Sequence, residues 1–268
     1  DLNTMDSFGV MQKIFEDRIQ YLKEHPEEER KIQEMNEKDM LSVCYFNYRH
    51  CGASAKDLKT SGFDHFKNWD NDPNQLKLRD LCLSFLSNIN QNENFDNVLI
   101  MYGKAATGKT FFALSILKML CMTRKPPRKI ISDGKEEVID ITEFYSGKYI
   151  TSEDLCNAVN NSDFATRDER RITIDICKTT KLLVIDEIGR GLTTTLKERN
   201  ALFTVINARI NAYLPTVICT NLNESEMAEL FGDALLSRIT SVGIKFCTDA
   251  LPNMRLPNVQ KWLCTGQK

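Results

Sequence analysis

No run of about 18 apolar residues occurs in the 268-residue sequence, which excludes a membrane-spanning helix. An excess of basic charge is also missing. Thirty-five Lys and Arg face 37 Asp and Glu, for a net charge of −2, so a generally basic nucleic-acid coat is excluded. Any nucleic-acid contact must come from a local patch. There is no CxxC pair and no internal repeat. The opening Asp1-Leu2-Asn3-Thr4 lacks the basic and then apolar stretch of a secretory signal, and it lacks Met, so it is read as a trimmed start. The nine cysteines are odd in number and scattered through apolar runs, as expected of reduced core residues in a cytoplasmic protein. Cys44, His50 and Cys51 are close enough to raise zinc, but their spacing fits no common site and a fourth ligand is missing. Metal binding there stays open.

What the chain does have is an ordinary globular balance, 42% apolar and 27% charged. Its length suits one medium domain with an appendage, or two small domains. Residues 5–22 place Met5, Phe8, Met11, Phe15, Ile19 and Leu22 at helical steps. Pro26 opens a second, charge-dense helix with Glu27, Glu28 and Glu29 in its first turn, either a solvated hairpin or a partner-binding arm. Residues 42–62 lose periodicity and read as a linker. The domain division expected is therefore a helical N-terminal arm with its linker over 1–60, followed by a globular domain over 61–268.

Within that domain a helix is expected over 75–89 and a buried strand over Val98–Tyr102. A helix from Lys109 to Met122 follows, then the basic Arg124–Lys129 turn and a small β-ribbon across 129–150 that ends in a strand at Tyr149–Ile150. Thr151 or Ser152 caps the next helix. Lys181–Ile185 reads as a strand, 196–213 as a helix, Thr216–Thr220 as a strand and 232–239 as a helix bearing Arg238. Strands alternating with helices predict an α/β fold with a parallel sheet.

Gly103-Lys104-Ala105-Ala106-Thr107-Gly108-Lys109-Thr110 matches G-x-x-x-x-G-K-[ST] in full, after a strand and opening a helix as the mechanism requires. Its glycines let backbone amides and the helix N-terminus wrap a phosphate. Lys109 reaches the β- and γ-phosphates and the Thr110 hydroxyl ligates Mg2+. In Lys181-Leu182-Leu183-Val184-Ile185-Asp186-Glu187 an apolar strand runs into two acids at a carboxyl edge, where nucleotides bind in such sheets. Asp186 holds Mg2+ through water and Glu187 polarises an attacking water. Together these predict ATP and Mg2+ as ligands and hydrolysis as the reaction. Asn221, after the Val217–Thr220 run, either orients that water or closes a turn. Arg238 is either a surface residue whose stem covers apolar neighbours or a finger reaching a nucleotide on an adjacent subunit.

Ser61-Gly62-Phe63-Asp64-His65-Phe66, GKAATGKT at 103–110, VIDEIG at 184–189, CTN at 219–221 and ALLSRI at 234–239 together resemble the AAA+ domain of bacterial replicative helicase loaders of the DnaC and DnaI type, with the transposition helper IstB as kin. The resemblance covers roughly residues 61–255. It implies a P-loop core with no full C-terminal lid. It makes Lys109 and Thr110 Walker A groups, Asp186 and Glu187 the Walker B pair, Asn221 sensor 1 and Arg238 an arginine finger. Arg255 falls where some loaders carry a sensor 2 arginine, in poorly matching surroundings. The basic insertion around 124–147 is longer than the family leads one to expect, and its role stays open.

The resemblance further implies a cytoplasmic ATPase in which the N-terminal region docks on a hexameric, DnaB-like replicative helicase and ATP sites hold copies together through Arg238. The segment carrying Arg167, Arg170, Arg171 and Lys178 would line a channel for single-stranded DNA, although interleaved Asp168 and Glu169 equally fit a solvated helix. The Arg124, Lys125, Arg128 and Lys129 cluster is a second candidate. The expected function is ATP-dependent placement of the helicase on single-stranded DNA during replication initiation. The alternative is an IstB-like ATPase that remodels duplex DNA and recruits a transposase. A nucleotide-gated adaptor with negligible turnover and a small-molecule kinase are rivals from other classes.

Overall fold

A strand whose residues are apolar on both faces must be covered on both, and Val98-Leu99-Ile100-Met101, ending at Tyr102, is such a strand. In the computed structural model, which describes residues 42–67, 72–89, 96–123, 128–132, 135–139, 144–160, 173–189 and 196–254, this segment is β1 and lies inside a sheet. The sheet comprises β4 (Gly147–Thr151), β5 (Leu182–Ile188), β6 (Thr216–Thr220), β1 and β7 (Gly243–Cys247), in the order β4-β5-β6-β1-β7. Every pairing in it is parallel. β2 (Arg128–Ser132) and β3 (Lys135–Ile139) form a separate antiparallel hairpin, the ribbon expected in the insertion.

Alternate residues of the central strands feed two cores. Leu99, Met101, Leu182, Val184 and Val217 join one, together with α2 (Pro73–Asn88) and α3 (Lys109–Cys121). Val98, Ile100, Leu183, Ile185 and Ile218 join the other, with α4 (Ser152–Asn160), α5 (Ile174–Thr179), α6 (Leu196–Asn211) and α7 (Glu224–Ser241). The outcome is a three-layer α/β sandwich. α2 begins where Asp72 caps it and Pro73 takes the first helical position, and it buries Leu78, Cys82 and Phe85 at steps of four and three. α7 begins with a full capping box of Asn223 and Glu226 and is broken at Gly232, whose φ of 68° no helix accommodates.

The chain divides into two compact units, residues 1–44 and 45–268. The helices expected over 5–22 and after Pro26 lie outside the described residues. The linker expected over 42–62 is a correction: residues 42–49 are helical and α1 (Ala55–Thr60) follows, capped by Ser54. Tyr48, Cys51 and Ser61 are buried, and the Cys51 carbonyl accepts from the Tyr149 amide at 2.7 Å on edge strand β4. Elements this short carry no readable period, while their few apolar residues still find a core. β7 was not anticipated either, because a half-exposed edge strand gives no continuous apolar run. All cysteines among the described residues are free thiols. The His50 ring nitrogen lies 2.8 Å from the Phe46 carbonyl, and no cluster of three metal-ligating side chains occurs among the described residues. No described helix is long and apolar enough to cross a membrane.

Candidate nucleotide-binding site

The carboxyl ends of β1, β5 and β6 open onto a cavity of about 620 Å³, within the ~300–1,000 Å³ usual for small-molecule sites. Its floor is Ala105, Ala106 and Gly108 of the loop leading into α3 with Lys109 and Thr110 at the helix start, and Asp186, Glu187, Thr220 and Asn221 line it from the ends of β5 and β6. A further wall comes from Asp57, Thr60, Ser61, His65, Phe66 and Lys67.

The loop is built tightly. At Gly103, with φ of 117°, a Cβ would collide with the Asp249 carboxylate; at Gly108, with φ of 91°, it would collide with the Met254 thioether. Asp249 accepts from the Lys104 amide at 2.6 Å, Thr107 Oγ1 donates to Thr248 Oγ1 at 2.8 Å, and the Met254 amide donates to the Ala106 carbonyl at 2.8 Å. The segment after β7 thus straps the loop. Lys109 is 7% exposed, and its ammonium donates to the carbonyls of Gly103 at 2.7 Å and Lys104 at 2.6 Å. Burial pulls its pKa down, opposed by nearby Cys219, Asp186 and Asp249.

The helix start is the telling feature. Ser54, Asp72, Thr173 and Asn223 cap α1, α2, α5 and α7 with side chains, and Thr151 Oγ1 accepts from the Asp154 amide in the first turn of α4. α3 alone among the α-helices whose starts are described has no side-chain cap, with the left-handed Gly108 at that position. Its leading amides and positive dipole end are therefore available to an anion, which fits the phosphates of a nucleotide.

β5 ends in a bulge, since its register against β6 shifts between Ile185 and Ile188. Within the bulge Glu187 adopts φ of 58°, rare for a non-glycine residue. The Asp186 carboxylate, 4% exposed, accepts from Thr110 Oγ1 at 2.7 Å and Tyr149 OH at 3.0 Å through Oδ2, and from the Glu187 amide at 2.7 Å through Oδ1. Burial pushes its pKa up, while these hydrogen bonds pull it down. Thr110 and Asp186 supply adjacent hard oxygen donors, a pair that fits Mg2+, which takes few protein oxygens and keeps several waters.

The expected residues therefore fall into two groups. Ala105, Ala106, Gly108, Lys109, Thr110, Asp186, Glu187 and Asn221 line one cavity, while Gly103, Lys104 and Thr107 belong to the same loop but not to the lining. Arg238 is not part of its lining; the side chain is exposed on α7 beyond the Gly232 break and donates to Asn207 Oδ1 on α6. Lys178 is on α5. Arg167, Arg170, Arg171 and Arg255 lie outside the described residues. Tyr149 and Asp249 were missed. Tyr149 is the middle residue of β4 and Asp249 lies two residues past β7, and neither belongs to a contiguous motif.

A parallel sheet in this order, a phosphate loop after its β1 strand and an acid pair near the end of β5 together define an α/β fold of the P-loop class. The particular relatives narrow the class. The sequence is 22% identical over 208 residues to the replicative helicase loader DnaI of Bacillus subtilis (strain 168), covering 78% of this chain and 56% of that protein. The chain thus spans little more than half the length of that curated relative. In fold it resembles the crystal structure of the DnaC helicase loader, with a TM-score of 0.53, 16% identity and coverage of 72% of this chain and 99% of the other. It also resembles AMPPCP-bound DnaA from Aquifex aeolicus, with a TM-score of 0.51, 17% identity and coverage of 77% and 55%. No protein-family model matches the chain. In sequence and fold together, the chain is similar to loaders of the DnaC and DnaI type.

Proposed function

We propose that this chain is an ATPase that acts as a helicase loader, binding a hexameric replicative helicase and helping to place it on single-stranded DNA at replication initiation. The observation that carries the nucleotide reading is the uncapped start of α3, which with Lys109 lines a cavity of nucleotide size. The loader reading is supported by the sequence likeness to DnaI, and the nucleotide reading further by a neighbour in fold that carries AMPPCP.

The loop amides and Lys109 bind the phosphates, and Thr110 and Asp186 would hold Mg2+, which would offset charge on the β- and γ-phosphates. Glu187, on the cavity wall, takes a proton from the attacking water while Asn221 orients it. Arg238, outside its own cavity, reaches the nucleotide of an adjacent copy, so that ATP favours association and hydrolysis favours release. That switch works only through differential affinity at the contact between copies. Residues 1–60 dock on the helicase, and the segment with Arg167, Arg170, Arg171 and Lys178 follows the phosphates of single-stranded DNA. Arg255 serves as a second nucleotide sensor.

Equilibrium binding of a fluorescent ATP analogue to wild type and Lys109→Ala tests the site. The expected result is saturable binding by wild type and at least a tenfold loss in the variant with its melting temperature kept. Equal binding by the two proteins would contradict the reading.

A further inference from the structure

Asp186 receives a hydrogen bond that neither the phosphate loop nor its own strand supplies. In the β4–β5 register Tyr149 stands opposite Val184 and Thr151 opposite Asp186. Tyr149 is thus a diagonal neighbour of Asp186 on the same face of this parallel pair, within reach of a phenol. Its hydroxyl meets Asp186 Oδ2, the same oxygen that Thr110 approaches, at 3.0 Å.

The phenol is fixed from two sides. Its ring packs against the core formed by α2, α3 and the sheet, and its amide donates to the Cys51 carbonyl at 2.7 Å. Oδ1 is fixed separately by the Glu187 amide. The carboxylate is therefore held at both oxygens by groups that do not belong to the phosphate loop, and the Thr110 hydroxyl is the one partner that would also ligate a metal.

We propose that Tyr149 is a positioning residue for Asp186, holding Oδ2 in the orientation in which that oxygen and the Thr110 hydroxyl receive a divalent cation. This rests on the Mg2+-nucleotide reading of the cavity. A side chain that hydrogen-bonds a ligating carboxylate fixes its direction, and removing such a partner commonly costs about 10–100-fold in metal affinity.

The test uses the full chain as wild type, Tyr149→Phe and Tyr149→Leu. Binding of a fluorescent ATP analogue is measured in EDTA and in saturating Mg2+, with melting temperatures for all three proteins. Phe keeps the ring and Leu removes it. The expected result is that affinity in EDTA is unchanged while the gain conferred by Mg2+ falls about tenfold in both variants, with melting lowered only in Leu. A Phe variant whose Mg2+ gain matches wild type, or a loss confined to Leu that follows its melting temperature, overturns the proposal and leaves the nucleotide reading intact. Wild type that binds no nucleotide in either condition overturns both.

Discussion

At the scale of the residue, Glu187 carries the most informative backbone. A φ of 58° in a non-glycine residue costs on the order of 1–3 kcal/mol, and the β5 bulge that imposes it presents two successive acids at the mouth of the cavity. If Glu187 activates water, Glu187→Gln keeps nucleotide affinity within about twofold and lowers turnover by roughly 10²–10⁴-fold, as single-turnover kinetics would show. Asp64 offers a pH-dependent case. Its hydrogen bonds from Lys118, at 2.9 Å, hold its carboxyl below the ordinary range. The Asp64 contribution is therefore present above the unfolded carboxylate pKa and lost as pH falls through the lower folded value. Because Asp64 is exposed, Asp64→Asn should cost less than about 1 kcal/mol at neutral pH, and the deficit should vanish in acid melts. Lys109, Thr110, Asp186 and Glu187 were legible because their chemistry is local in sequence. Tyr149 and Asp249 were not, since each acts across a strand pairing or a loop return more than thirty positions away in the chain.

At the scale of the element, Arg209 shows how the layers are tied. Fully buried at the end of α6, it donates to Thr216 Oγ1 at 2.9 Å, to the Cys177 and Thr180 carbonyls at 2.8 and 2.9 Å, and to the Pro215 carbonyl. One guanidinium thus joins α5, α6 and the start of β6. Arg209→Ala strands several buried acceptors, each worth about 1–3 kcal/mol. A total loss of about 4 kcal/mol or more is expected, lowering melting by roughly 8 °C or more in calorimetry. Lysine should not rescue it, because an ammonium cannot reproduce the planar fork. The strands at 98–102 and 216–220 were legible residue for residue because burial on both faces makes them continuous apolar runs. The helices at 42–49 and 55–60 and strand β7 were hidden by brevity or by half-exposure, so their placement follows from what they pack against.

At the scale of the whole molecule, the proposed ATP-dependent association requires Arg238 to act between copies. It lies outside the cavity lining of its own chain and is tethered to Asn207 on α6. Arg238→Ala should leave binding of the ATP analogue unchanged, abolish ATP-dependent association in sedimentation, and lower turnover by about 10³-fold or more. Turnover in wild type should rise with protein concentration and stay flat in the variant. The domain class was legible from the paired motifs, whereas the partner lies in no motif and comes only with the resemblance. The most direct measurement is a pull-down from the native host with Glu187→Gln in ATP, with the captured proteins identified by mass spectrometry. The account predicts recovery of a hexameric replicative helicase, lost when residues 1–60 are deleted. Recovery of a transposase, or of duplex DNA with no helicase, would contradict it and leave only the ATPase core standing.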